Sequence, residues 1–193
     1  SGSAFGVNYQ LYNSGTAVGS PMAGTGSAID FGIITIGGTY TVIATNPSTS
    51  CSANMAGSAT ITVNPLPLIY TVTGGGNYCP GGSGVHIGLS GSNSGINYSL
   101  MRGTTLVATM PGNDSTIDFG WQTVAGTYTI VAVDATTSCT SNMTGSAVVV
   151  INALPTVYTV TGGGGYCAGG LGLHVTLSGS QSGVNYQLYK DAV

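Results

Sequence analysis

AGTYTIVAVDATTSCTSNMTGSAVVVINALP, residues 125–155, decides the fold. From Thr127 to Val133 the stretch alternates, with Tyr128, Ile130 and Ala132 on one side of an extended chain and Val131 and Val133 on the other. Turn formers around Cys139 follow, and then a second β-branched run in which Val149 and Ile151 read as inward. That run leaves Val148 and Val150 pointing out. The same text stands 88 positions earlier, at 37–67, as GGTYTVIATNPSTSCSANMAGSATITVNPLP. There Ile61 and Val63 keep the inward face, whereas Thr60 and Thr62 occupy the outward one.

Working outward, the correspondence extends over the chain. GVNYQLY at 6–12 returns as GINYSLM at 95–101 and again as GVNYQLY at 183–189, at spacings of 89 and 88. Asp30-Phe31-Gly32 returns as Asp118-Phe119-Gly120, Tyr70–Gly76 as Tyr158–Gly164, Cys79 as Cys167, and His86 as His174. Self-similarity at a fixed period is the mark of a repeat architecture. Pro-marked junctions at Asn64–Pro67 and Asn152–Pro155 divide the chain into 1–65, most of one repeat, 66–153, a whole repeat, and 154–193, the start of a third. A chain cut this way reads as a window on a longer array, with short stiff linkers holding neighbours nearly end to end. Within the whole repeat, strands are expected at 68–73, 84–90, 96–101, 104–110, 115–119, 127–134 and 146–152. Seven short strands separated by Gly, Ser and Asn clusters predict an all-β chain of tandem immunoglobulin-like β-sandwich repeats of about 88 residues.

Composition narrows the function. Of 193 residues only seven are charged, none is glutamate, and Gly, Ser and Thr make up about two fifths. The hydrophobic share of 42% still suffices for a core. One Arg and one Lys cannot neutralise a phosphate backbone, which excludes nucleic acid. No apolar run reaches the roughly 18 residues of a membrane span. The start carries no export signal, so any such signal is expected outside these residues.

Little here points to catalysis. Asp30, Asp114, Asp118, Asp134 and Asp191 are scattered, and Asp30 and Asp118 read as strand-end residues that bond backbone. His86 and His174 read as outer-face or interface residues. Calcium needs carboxylate runs and zinc needs closely spaced Cys or His, and neither pattern occurs. The runs Gly74–Gly76 and Gly162–Gly165 lack a following Lys and helix and are expected to be turns. Trp121 and the tyrosines could stack on sugar rings, although Tyr40, Tyr128, Tyr70 and Tyr158 recur at core-like positions. Glycosylation sequons at Asn97, Asn113 and Asn142 do not recur. No catalytic residue, metal or cofactor is assigned, and the chain is expected not to be an enzyme.

Two cysteines per repeat suggest an oxidising, extracellular setting. Three connectivities are open to four cysteines. Cys79–Cys139 within one repeat is preferred, because GGGNYCPGGSG is long enough to bring Cys79 partway back along the sandwich. Cys51 and Cys167 would then pair outside these residues or with neighbouring repeats. Against this, simple immunoglobulin topology places the two loops at opposite poles, and Cys51–Cys79 with Cys139–Cys167 remains open.

YCPGGSGVHIGLSGSNSGINYSL, residues 78–100, followed by 125–155, resembles the immunoglobulin-like repeats of giant Bacteroidota surface proteins. The likeness covers essentially the whole chain, in register with the period. Tyr9, Tyr98 and Tyr186 stand where related domains carry Trp. The resemblance implies very long adhesins and extracellular filaments exported by the type IX route, and the grappling-hook filaments of predatory Saprospira-like bacteria are similar. It implies no catalytic residues. The expectation is a structural and adhesive segment of a bacterial cell-surface filament, meeting other copies of itself sideways through Val131, Val133, Val148 and Val150, and also host or prey surfaces. The alternatives are a carbohydrate- or protein-binding module, or a passive stalk for a domain elsewhere.

Overall fold

The computed structural model describes residues 2–190, so Asp191 lies outside the described residues. No helix occurs among them. The chain divides into two compact units between Leu66 and Pro67, one position from the junction expected at 65/66. Residues 154 onward belong to the second unit.

Unit 1 holds one sheet. It is built from β1 (Asn8–Asn13), β2 (Thr16–Ala23), β3 (Gly38–Thr45), β4 (Ser52–Asn54) and β5 (Ala59–Ile61), in the order β2-β1-β3-β4, with β5 pairing β3 beside β4. All its pairs are antiparallel. Leu11, Tyr40 and Ala44 are buried against this sheet. Ile29–Ile34, the counterpart of a strand in unit 2, pair with nothing, and Ile33 is 94% exposed.

Unit 2 adds β6 (Val72–Gly74), β7 (Gly76–Tyr78), β8 (Val85–Leu89), β9 (Ile96–Arg102), β10 (Thr105–Pro111), β11 (Ile117–Gln122), β12 (Gly126–Asp134), β13 (Thr140–Asn142) and β14 (Ala147–Ile151). A three-stranded sheet runs β11-β8-β6 and a six-stranded one runs β10-β9-β12-β14-β7, with β13 also on β12. Their inner faces share one core. Ile87, Leu89, Ile117 and Phe119 come from the first sheet, and Tyr98, Leu100, Tyr128, Ile130, Ala132 and Val149 from the second. Burying each of the larger side chains contributes about 1.5–3 kcal/mol. This is a β-sandwich core, and the alternation at 127–134 fixes which side of β12 enters it. Ile151, read as inward, is exposed because β14 runs past the end of the core. Two further short strands, β15 (Val160–Gly162) and β16 (Val175–Leu177), form a separate antiparallel pair.

The glycine run is where the two sheets exchange the chain. Gly74 ends β6, Gly76 opens β7, and β7 then lies parallel to β14 on the far sheet. The three residues have φ of 88°, 81° and 131°, which only glycine adopts without strain. A Cβ on Gly74 would lie 2.1 Å from the His86 carbonyl oxygen. The expected turn is therefore a strand switch.

The register in unit 1 repeats that of unit 2. Asn8 faces Thr45 as Asn97 faces Val133, and Gly38 faces Ile61 as Gly126 faces Val149. Residues 29–34, which correspond to β11, form no strand among the described residues.

Candidate functional site

The four valines all leave the core side of the six-stranded sheet, but they do not merge into one stripe. Val148 and Val150 on β14 are 48% and 41% exposed. Their ladder neighbours are Thr127 and Asn77. Val131 and Val133 are only half-buried on β12, because β13 and β9 flank them with Asn142, Ser99, Thr140 and Asn97. Thr129 separates the two pairs along β12. The exposed apolar surface is thus the β14 pair, and the β12 pair is largely screened by its neighbours.

On the opposite sheet the structure joins residues that were read separately. His86 on β8 and Asp118 on β11 meet with Nδ1 2.6 Å from Oδ2. The Trp121 indole stands edge-on to the imidazole, ring centroids 4.0 Å apart and 65° between planes. A register shift between Asp118 and Trp121 brings both side chains to His86. Gly120, with φ of 75°, forms that irregularity, and its N–H donates to Asp118 Oδ1 at 2.8 Å. That backbone bond is the main reason the Asp118 carboxyl sits below its ordinary range, with the His86 contact adding to it against partial desolvation. Asp30 accepts the same bond from the Gly32 N–H at 2.8 Å, although it lies in a segment that forms no strand. Thr73, Ser90 and Thr116 complete a shallow depression around His86 and Asp118. Among the described residues, Asp118 is the hydrogen-bond partner shown for the His86 ring.

Asp114 and Asp134 serve turns. Asp114 receives the Ser94 hydroxyl and amide, and Asp134 receives the amides of Thr137 and Thr136; these bonds hold both carboxyls below the ordinary range.

The cysteines overturn one expectation. All four are free thiols. Cys79 directly follows Tyr78, which pairs with Ile151 beside the start of β12. The Cys139 carbonyl accepts from the Asp134 amide, at the other end of β12. That strand is nine residues long, about 26 Å at the usual rise. A disulfide needs Cα atoms within about 7 Å. The Cys79–Cys139 bond is not formed, because the loop after β7 turns on itself at Gly82 instead of returning along the sandwich. Cys51 and Cys167 are exposed.

No known protein family matches the sequence, and no curated protein matches it significantly.

Proposed function

We propose that the chain is a non-catalytic structural and adhesive segment of a long extracellular filament on a bacterial surface, made of immunoglobulin-like repeats that associate sideways with other copies. Two features support the immunoglobulin-like reading. The first strand is split between the two sheets, and the chain crosses from one sheet to the other between β10 and β11. The Tyr128 hydroxyl donates to the Val124 carbonyl, 2.8 Å away and four residues upstream, in the manner of a tyrosine corner. Tyr40 repeats it on Ile36 at 2.7 Å. Ile130 stands where antibody domains carry the second cysteine, so the core is held by packing alone.

The observation that carries the function is the exposure of Val148 and Val150 on an otherwise complete sandwich. With only seven charged residues there is little electrostatic repulsion to hold copies apart. Val148→Thr with Val150→Thr copies the Thr60 and Thr62 of unit 1 and should abolish side-by-side assemblies in electron micrographs. Trp121 fluorescence should stay native. Lateral assemblies that persist unchanged in this variant would refute the reading.

One observation favours a second reading, a carbohydrate-binding module. Trp121 is 59% exposed next to a hydrogen-bonding carboxylate, an arrangement that can stack on a sugar ring and accept its hydroxyls. Titrating the chain with neutral oligosaccharides should then quench Trp121 saturably, and Asp118→Asn should weaken binding by about tenfold, the loss of one charge-assisted hydrogen bond. No quenching by any neutral glycan leaves the structural reading alone.

A further inference from the structure

We propose that the cysteine at the exit pole of a whole repeat, Cys79 in unit 2, forms a disulfide with the cysteine at the entry pole of the repeat that follows, the counterpart of Cys139. The inference rests on the extracellular tandem array put forward above and adds a covalent joint to it.

The whole repeat fixes both poles. The chain enters beside Cys139. Ser141, two residues on, donates its hydroxyl to the Pro67 carbonyl at 2.9 Å, and the Thr144 amide donates to the Tyr70 carbonyl at 2.9 Å. The chain leaves beside Cys79, where the Asn152 amide donates to the Tyr78 carbonyl at 2.8 Å. The length of β12 lies between the poles, so the two thiols of one repeat cannot meet. Pro155 is the counterpart of Pro67 and stands three residues beyond Asn152. Three residues span at most about 10 Å. The exit thiol of one repeat and the entry thiol of the next are therefore anchored to the two ends of one short linker.

Both thiols are presented in the same way where they recur. The Cys139 carbonyl accepts from the Asp134 amide at 2.9 Å and the Cys51 carbonyl from the Asn46 amide at 2.9 Å, with φ of 61° at Ser138 and 57° at Ser50. Cys79 and Cys167 open turns closed by the Gly82 and Gly170 amides, with φ of 83° at Gly81 and 85° at Gly169. The turns persist although Asn46-Pro47-Ser48 becomes Asp134-Ala135-Thr136 and Pro80 becomes Ala168. A free cysteine is ordinarily among the most buried residues. Within the complete sandwich Cys79 is instead exposed and Cys139 only half-buried, which suits thiols that pair across a junction in an oxidising setting. One S–S bond forms per junction, and the two protons and two electrons pass to a disulfide oxidant, which leaves as two thiols. Tension along the array then crosses each junction through this bond as well as through the linker.

The test is the full chain carrying residues 66–153 twice in succession, with Cys51→Ser and Cys167→Ser, oxidised in dilute solution by glutathione disulfide. One variant keeps only Cys79 of the first whole repeat and Cys139 of the second. The reverse variant keeps only Cys139 of the first and Cys79 of the second, a pairing of the Cys51–Cys79 kind. Peptide mapping without reductant should find a cross-linked pair within the monomer of the first variant and none in the reverse one. Trp121 fluorescence should be native in both, since serine at these turns touches no core residue. Absence of the cross-link in the first variant, or equal cross-linking in both, would overturn the proposal. Sideways assembly is read separately, in micrographs of the Val148→Thr/Val150→Thr chain, so failure of either idea leaves the other standing.

Discussion

Gly74→Ala is expected to destabilise unit 2 by about 2–6 kcal/mol, the sum of backbone strain and crowding. The residue holds φ at 88°, and its added Cβ would lie 2.1 Å from the His86 carbonyl oxygen and 3.1 Å from the Ile87 Cα. Neither neighbour can yield cheaply, since both are backbone of β8 in the middle of its sheet. The Gly75 amide also donates to the His86 oxygen at 2.8 Å, so displacing β8 breaks the bond that anchors the switch. Gly120→Ala supplies the control. Its φ of 75° imposes a similar conformational cost, but open space surrounds its missing Cβ. It should lose only about 1–2 kcal/mol. Urea unfolding followed by Trp121 fluorescence measures both, and equal losses would show that crowding against β8 contributes nothing.

The strands of unit 2 were legible where side chains alternate. The run at 84–90 became β8 with Ile87 and Leu89 inside, and 127–134 became β12. Alternation needs side chains, which is why β7 was missed. Its first residues are glycine and asparagine, and its ladder is a parallel edge with β14 that no local pattern encodes. Residues 29–34 show the converse: they match β11 in pattern, yet no strand pairs with them among the described residues, and pattern without a partner makes no ladder.

The candidate site was less legible, because its geometry depends on pairings between strands. His86 and Asp118 are 32 positions apart, and their contact follows from the irregularity at Gly120. A glycine following Asp-Phe in a predicted strand was the available hint of a bulge. The outward direction of Val148 and Val150 followed from periodicity alone, whereas the screening of Val131 and Val133 required β13, a three-residue strand too short to recognise. The opposite-pole placement of Cys79 and Cys139 was readable from simple topology, and the glycine-rich loop after β7, although long, turns on itself at Gly82.

Tyr128→Ala should cost unit 2 about 3–5 kcal/mol, comparable to truncating any large buried aromatic. The ring is fully buried between both sheets, and the hydroxyl ties β12 to the turn that delivers it from β11. Tyr128→Phe separates the two contributions. It keeps the ring and removes only the bond to Val124, a residue that is half exposed, so about 1 kcal/mol should be lost. The ratio between the variants tests what holds a sandwich with no disulfide across its core. If packing dominates, as the free thiols require, alanine must cost several times more than phenylalanine. The corresponding Tyr40→Phe removes the equivalent bond to Ile36 in unit 1, where Asn13 also donates to the hydroxyl at 3.2 Å. A loss of about 1 kcal/mol is expected there too, and a much larger one would mean that the hydroxyl bonds rather than the ring hold this end of β3.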